Sequence, residues 1–249
     1  MYDGKNLKYK IHNNPSVVGA RIPWNADSKQ IDELLSLDDY DFISIDSQHS
    51  PFDESQLSKI CEYAHTIPIP VHFRIKHSKI TYLIGNLLDL GPSMIEIPQT
   101  EEITTVKDAV DNFYYPPNGK RSWGGEFRVG VDDSHLVFPA DLKVRSEYMN
   151  WWNNFGVLML QVESIKAIEN IKNFAVKGVD CVSWGPNDLE IDRQANKNHP
   201  LSESNEKALI FAINECNKAG IKLMVRNSIK DRKKYIDMGI NIFLESPGA

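Results

Sequence analysis

The sequence has few of the features that mark disulfide-rich, zinc-binding or nucleic-acid-binding proteins. It contains three cysteines in 249 residues, Cys61, Cys181 and Cys216, and their spacing matches no metal-binding motif. An odd count in an ordinary composition predicts free thiols in a reducing cytoplasm. The formal net charge of -6 argues against nucleic-acid binding, which requires a basic surface.

Long apolar runs are also missing. The longest, Phe42–Ile45 and Val157–Leu160, are far too short to span a membrane. The N-terminal residues MYDGKNLKYK carry charge without the apolar segment of a signal peptide, so we expect neither a membrane span nor secretion. No linker or low-complexity segment divides the chain, which predicts a single domain over residues 1–249.

What the sequence does contain is an alternation of short apolar runs with segments of helical periodicity. The eight runs are Val17–Ile22, Asp41–Ile45, Ile69–Ile75, Ser93–Ile97, Gly156–Val162, Val179–Trp184, Ile221–Val225 and Asn241–Leu244. Alternating strands and helices predict a parallel sheet, and eight units close an α/β barrel, the (β/α)8 TIM barrel. A doubly wound open sheet is the alternative, weakened because no Gly-x-Gly-x-x-Gly turn follows the first strand.

Helix signals support the same pattern, with two irregularities. Asp53 and Ser164 suit N-cap positions, and several helical segments end at glycine. Residues 114–154 form a long insertion, helical from about Asp141, which we expect at the active-site mouth. The sequence ends soon after the eighth strand, which predicts a missing or very short eighth helix and therefore a homo-oligomer that covers the open seam.

Polar residues concentrate where the predicted strands end. In a barrel these carboxyl ends form the active-site face. The side chains there include Arg21, Asp46, Gln48, His49, Arg74, Glu96, Gln99, Gln161, Glu163, Trp184, Asp188, Arg226 and Glu245. The strand ends therefore predict a site that binds a small molecule.

Glu163 and Asp188 follow neighbouring strands, and two carboxylates suit a hard divalent ion such as Mg²⁺ or Mn²⁺. The alternative is that both only cap helices, and spacing alone does not decide between these interpretations. Gly185, Pro186 and Asn187 open a helix whose backbone N–H groups would suit an anionic ligand, which favours the first.

His49 is the candidate general base, because its pKa normally lies near neutrality. A lone histidine is more often structural, but Asp46 and Asp89 are two acids that would orient its ring. Arg74 is a candidate for binding a carboxylate with a bidentate fork, or for a salt bridge across the barrel interior. Both interpretations of Arg74 remain open from the sequence.

Six segments in order resemble the HpcH/HpaI family of metal-dependent pyruvate aldolases. They are IDSQHSPFD (45–53), the strand that ends at Arg74, LLDLG (87–91), YPPNGKRS (115–122), LQVES (160–164) and WGPNDL (184–189). The last two are the most specific. The resemblance covers nearly the whole chain and implies a TIM barrel that forms a pyruvate enolate.

The resemblance also implies roles for individual residues. Glu163 and Asp188 match the protein ligands of a divalent ion (Mg²⁺, Mn²⁺ or Co²⁺), and Arg74 matches the arginine that contacts the oxygens of the 2-oxo acid. His49 matches the base, acting directly or through a metal-bound water, with Asp46 and Asp89 as supporting acids. The backbone of residues 185–187 matches the segment that binds the pyruvate carboxylate.

Further substrate-binding candidates follow from their places at strand ends. They are Gln48, Gln161, Trp184, Gly185, Pro186, Asn187, Arg21 and Arg226. The implied reaction is cleavage of a 4-hydroxy-2-oxo acid to pyruvate and an aldehyde, in a homo-oligomeric cytoplasmic enzyme (a trimer or hexamer). No lysine except Lys76 lies near a strand end, so a Schiff base is not expected.

Three positions depart from the family pattern. Gln48 replaces a common glutamate. Arg21 and Arg226 replace apolar or aromatic residues, and these two added cations predict a more anionic acceptor.

Two alternatives to the aldolase remain. One is a citrate-synthase-like condensation or an oxaloacetate decarboxylation on the same scaffold, and the other is a non-catalytic carboxylate-binding barrel.

Overall fold

The structure is a computed structural model that describes residues 6–124, 129 and 141–247. Eight parallel strands close a barrel in the order β1 to β8. They are β1 Val17–Arg21, β2 Phe42–Asp46, β3 Val71–Arg74, β4 Met94–Ile97, β5 Val157–Val162, β6 Cys181–Trp184, β7 Lys222–Asn227 and β8 Ile242–Glu245. Pairing of β1 with β8 closes the ring, so the predicted TIM barrel is confirmed and the open sheet is excluded.

Helices separate the strands. They are α1 Leu7–Asn13, α2 Ser28–Leu35, α3 Glu54–Thr66, α4 Ile84–Asp89, α5 Ile103–Phe113, α6 Leu142–Phe155, α7 Ile165–Glu169, α8 Ile171–Phe174, α9 Pro186–Ala195, α10 Asn205–Ala219 and α11 Arg232–Asp237. Short 3-10 helices lie at Ser78–Leu83, Pro200–Ser202 and Ile229–Asp231. Within these described ranges, no helix combines the length and apolar character needed to cross a membrane.

Local capping explains where several helices begin and end. The Asp53 side chain accepts a hydrogen bond from the Gln56 N–H, and Ser164 accepts one from Ala167, as their N-cap positions predict. Asp141 caps α6 in the same way, close to the predicted helix start. Gly220 ends α10 at φ 72°, in the left-handed region that favours glycine.

The barrel interior changes from apolar to polar along its axis. The lower side chains form one apolar cluster: Val17, Phe42, Met94, Val157, Met159, Cys181, Met224, Ile242 and Leu244. Leu7 and Ile11 of α1 join this cluster and close the bottom of the barrel. Lys8 and His12 each lie 3.2 Å from the Asp180 carboxylate, which anchors α1 there.

The upper interior is polar and leads to the strand ends. Ser44, His72, Glu96 and Ser183 are almost completely buried there, and Arg226 contributes the fifth polar group. A TIM-barrel interior is usually filled by branched aliphatic side chains. This polar layer therefore forms an unusual floor beneath the mouth.

The insertion attaches at the opposite end from the one expected. Because α5 runs back from the mouth, residues 114–124 begin beside the N-terminal ends of the strands, and none of the described residues of 114–154 lines the mouth cavity. Residues 125–128 and 130–140 lie outside the described ranges. After β8 the structure describes two more residues, Ser246 and Pro247, and neither lies in a helix.

Candidate active site

A cavity of about 570 Å³ opens at the carboxyl ends of the strands. This is the face on which TIM-barrel enzymes carry their active sites. Its walls bring together residues that lie on or shortly after β1, β2, β3, β5, β6 and β7, among them Arg21, His49, Arg74, Gln161, Glu163 and Asp188. The volume exceeds what pyruvate alone would fill, so room remains for a second reactant.

Glu163 and Asp188 form a carboxylate pair at one side of this cavity. Glu163 is buried just after β5, and its Oε1 accepts a hydrogen bond of 3.0 Å from the Gln99 N–H. Gln99 adopts φ 48°, a left-handed conformation that non-glycine residues rarely adopt and that often marks functional sites. Burial and the facing Asp188 carboxylate raise the pKa of Glu163 to about 7.

This pair fits a divalent cation. Two facing carboxylates repel each other, and hard oxygen ligands are those that Mg²⁺ and Mn²⁺ prefer. A Cβ at residue 185 would lie 2.6 Å from Glu163 Oε2, so glycine leaves the space that this carboxylate occupies. No third His, Cys, Asp or Glu joins the pair among the described residues. Substrate and water would supply the remaining ligands.

Repulsion within the carboxylate pair is expected to lower the stability of the metal-free protein, by an amount that depends on pH. An acid with a raised pKa in the folded state resists ionisation, so stability falls as pH rises from the ordinary value of 4.5 to about 7. In EDTA, Glu163→Gln is therefore expected to stabilise the protein by about 3 kcal/mol at pH 8. The gain should shrink towards zero at pH 5.

Urea unfolding at pH 5 and pH 8 measures this difference. Glu147→Gln, a change at an exposed glutamate of α6, is the matched control and should shift stability by less than about 0.5 kcal/mol at both values. A Glu163→Gln effect that is the same at both pH values would contradict the assigned repulsion.

The N-terminus of α9 faces the same cavity. Gly185 is its N-cap, Pro186 occupies its first turn, and Gly185, Pro186 and Asn187 all line the cavity. Backbone N–H groups in the first turn of a helix have no intrahelical acceptor and carry partial positive charge. This turn is therefore suited to bind a carboxylate beside the Glu163–Asp188 pair.

Arg74 is held in a fixed orientation on β3. Its Nε and Nη2 donate to the two Asp46 oxygens at 2.9 and 2.5 Å, and its Nη1 donates to Gln161 Oε1 at 3.0 Å. Burial raises the pKa of Asp46, but the hydrogen bonds from Arg74 lower it more, to below its ordinary value. Asp46 therefore stays ionised as the partner of Arg74, so Arg74 forms a salt bridge, with the adjacent strand β2. Binding of a substrate carboxylate by Arg74 remains a prediction.

His49 lies at the cavity wall and is exposed to solvent. Neither Asp46 nor any other described residue hydrogen-bonds its ring. Asp89 lies elsewhere: it ends α4, at the barrel end opposite the mouth, and accepts a hydrogen bond of 2.7 Å from Arg121. The structure thus brings His49 to the site and does not place Asp89 beside it within one subunit.

Only some of the other predicted substrate-binding residues line the cavity. Arg21 lines the cavity with a side chain that is 55% exposed, and its Nη2 lies 3.8 Å from Asp46 Oδ2. Arg226 also lines the cavity but is paired with Glu96. Trp184 and Gln48 are not among the cavity-lining residues, although the Trp184 carbonyl accepts a hydrogen bond from Arg226. Lys76 lies outside the cavity wall as well.

Sequence reasoning missed part of the cavity. Ser44 and His72 line its floor, and Ser228, Asp231 and Tyr235 line the wall near β7. A signal for the floor was present, because Ser44 and His72 each precede a mouth residue by two positions. In a strand that spacing places both side chains on the same face. For Ser228, Asp231 and Tyr235, strand-end position alone gives no comparable signal.

The profile of the family described as HpcH/HpaI aldolase/citrate lyase matches residues 24–243. A hydroxypyruvate/pyruvate aldolase from Pseudomonas aeruginosa is 27% identical over 211 residues, which cover 83% of this chain and 74% of that protein. A 2-keto-3-deoxy-L-rhamnonate aldolase from Salmonella schwarzengrund (strain CVM19633) is 30% identical over 224 residues, covering 85% and 79%.

A solved structure shares the fold. The HpcH/HpaI aldolase from Desulfitobacterium hafniense DCB-2 superposes with a TM-score of 0.79 at 23% identity. The match covers 96% of this chain and 89% of that one.

Proposed function

The chain belongs to the HpcH/HpaI aldolase/citrate lyase family and is a carbon–carbon lyase; we propose that it cleaves a 4-hydroxy-2-oxo acid to pyruvate and an aldehyde with the help of a divalent metal ion. The observation that carries this proposal is the convergence of the Glu163–Asp188 pair, Arg74 and the α9 N-terminus on one cavity. Each of these groups would bind or stabilise an anionic 2-oxo acid.

Each group has a definite part in the proposed reaction. The first turn of α9 binds the carboxylate of the 2-oxo acid, and Arg74 donates hydrogen bonds to its oxygens. Glu163 and Asp188 would hold a divalent ion, which would supply Lewis-acid polarisation of the 2-oxo oxygen. Because Asp46 and Gln161 hold Arg74 in place before the reaction, little reorganisation is needed as negative charge develops.

His49 is the proposed base. It removes the proton of the C4 hydroxyl, the C3–C4 bond breaks, and its electron pair passes into the enolate of pyruvate while the aldehyde leaves. Protonation at C3 then gives pyruvate. In the condensation direction, C3 of the enolate attacks the aldehyde carbon and the resulting alkoxide receives the proton.

Pyruvate release tests this proposal. Metal-stripped protein is given a 4-hydroxy-2-oxo acid, and pyruvate and aldehyde are measured before and after Mg²⁺ or Mn²⁺ is restored. Equal amounts of both products, formed only with metal, are expected. A citrate-synthase-like condensation or an oxaloacetate decarboxylation would share the enolate but release no aldehyde, so this assay separates the alternatives.

Arg21 is proposed to favour anionic acceptors. Its charge is largely free for substrate, because Asp46 is already paired with Arg74 and lies 3.8 Å away. Arg21→Leu is expected to raise KM about tenfold for a substrate whose leaving aldehyde carries a carboxylate, and less than about twofold for a neutral one. Steady-state kinetics with both substrates measure the effect. Equal losses for the two substrates would contradict this role.

We also propose that the protein is a cytoplasmic homo-oligomer, a trimer or hexamer. Supporting this, large apolar side chains are exposed between β7 and β8, namely Ile229 by 51% and Ile236 by 41%, and Leu37 before β2 is exposed by 59%. A second copy would cover them. Light scattering after gel filtration, giving the mass relative to the 28.4 kDa chain, measures the assembly directly.

A further inference from the structure

Glu96 is a fully buried acid at the centre of the cavity floor. Arg226 Nη2 donates to both of its oxygens at 2.6 and 2.8 Å, and Ser183 Oγ donates to Oε1. His72 Nε2 lies 3.0 Å from Oε2, within ion-pair distance but not aligned for a hydrogen bond. Its other ring nitrogen lies 2.7 Å from Ser44 Oγ. The network joins five strands beneath the mouth.

Burying a carboxylate in the cavity floor costs free energy, so its presence there needs an explanation. A buried carboxylate loses its hydration, and well-packed apolar residues would fill the same space without that loss. Burial raises the pKa of Glu96, but Arg226 and His72 lower it more, so the pKa lies well below its ordinary value. The acid is therefore ionised, and its charge cancels that of Arg226.

Arg226 nevertheless keeps N–H donors that Glu96 does not use. Its side chain is 25% exposed and lines the cavity wall. Of its five N–H groups, those on Nη2 serve Glu96 and one on Nη1 donates to the Trp184 carbonyl at 3.3 Å. Within the described part of the chain, the Nε–H and the second Nη1–H have no acceptor.

We propose that Glu96 is a positioning residue that orients Arg226 and cancels its charge, so that Arg226 offers the acceptor aldehyde hydrogen bonds without net attraction for anions. The class of acceptor that this floor selects is an aldehyde with an oxygen substituent, whether neutral or anionic. Among the described residues of the cavity wall, Arg21 remains as the surplus cation. This inference rests on the proposed aldol activity, and it corrects the expectation that Arg226 adds a free positive charge.

Two aldehydes of matched size test the proposal. Glyoxylate carries a carboxylate next to its aldehyde, and glycolaldehyde carries a neutral hydroxymethyl group there. The metal-loaded enzyme condenses each with pyruvate, and the quantity compared is kcat/KM for glyoxylate divided by kcat/KM for glycolaldehyde. The variants are Glu96→Gln, Arg226→Gln and the double variant.

The two single variants are expected to shift the ratio of kcat/KM for glyoxylate to that for glycolaldehyde in opposite directions. Glu96→Gln removes the negative charge that neutralises Arg226 and should raise the ratio about tenfold. Arg226→Gln removes the positive charge that neutralises Glu96 and should lower the ratio about tenfold. The double variant has the net charge of wild type and should return to within about threefold of its ratio. A purely structural role would lower the rates for both aldehydes together and leave the ratio unchanged.

The outcomes separate this inference from the proposed function. If wild type exchanges the C3 protons of pyruvate but the ratio does not move in folded variants, only the role of Glu96 fails. Wild type that condenses neither aldehyde also overturns the inference, because the floor should admit both. If Glu96→Gln does not fold, the kcat/KM ratio of Arg226→Gln tests the inference by itself, because the inference requires that ratio to fall.

Discussion

Glu163→Ala is expected to abolish metal-dependent cleavage, with a loss in kcat/KM of about 10³-fold or more. Glu163 and Asp188 face each other at the cavity wall, and no third His, Cys, Asp or Glu joins them among the described residues, so the loss of Glu163 leaves a metal ion with Asp188 alone. The loss should appear as metal affinity too weak to measure by calorimetry. Raising the Mg²⁺ or Mn²⁺ concentration should restore little activity.

This loss would not come from unfolding. Removing Glu163 relieves the repulsion that raises its pKa to about 7, so the metal-free variant should be at least as stable as wild type at pH 8. Glu190→Ala is the matched control, because Glu190 lies on α9 with its side chain 45% exposed and pairs with Arg193 outside the cavity. That control should keep activity within about twofold. Activity within tenfold of wild type in Glu163→Ala would remove this residue from the site.

Arg74→Lys is expected to lower kcat by about 10²-fold to 10³-fold with a smaller change in KM. Lysine keeps the charge but lacks the planar fork that contacts both Asp46 oxygens and Gln161 at once. The remaining ammonium group would be drawn to Asp46 and away from the substrate. Because charge develops on the substrate during cleavage, the loss should fall on kcat.

Arg193→Lys serves as the matched control for this change. Arg193 is another buried arginine with several hydrogen bonds, to Glu190, Asn205 and the Ser202 carbonyl, but it does not line the cavity. It should lose stability with kcat nearly unchanged. Steady-state kinetics and urea unfolding of both variants give the comparison. If Arg74→Lys kept kcat within threefold of wild type, Arg74 would have no part in stabilising the enolate.

The sequence predicted the barrel and most of its mouth for physical reasons that the structure bears out. Strands buried on both faces read as apolar runs, so all eight could be located to within a few residues. In a parallel barrel every strand ends at the same face, so the residues after those runs had to converge. That rule alone brings Glu163, Asp188 and Arg74 to one cavity.

What the sequence did not reveal depends on which side chains pair across the barrel. Arg226 and Glu96 lie on β7 and β4, and only the closed structure shows that they neutralise each other. Asp89 has a suitable chemistry for orienting His49, but it ends a helix that leads to the other end of the barrel. Helix α1 was missed because only Leu7 and Ile11 of its seven residues are buried, against a barrel bottom that a local pattern cannot show.

The most direct test of the account is exchange of the C3 protons of pyruvate in D₂O by the wild-type enzyme, since it requires no knowledge of the aldehyde. Mass spectrometry follows deuterium uptake with Mg²⁺, Mn²⁺ or Co²⁺ added, and again after EDTA. We expect exchange that requires the metal and disappears with EDTA, because Glu163, Asp188 and Arg74 would together stabilise the enolate. Absence of exchange with all three metals would contradict the assignment of this cavity to pyruvate enolate chemistry.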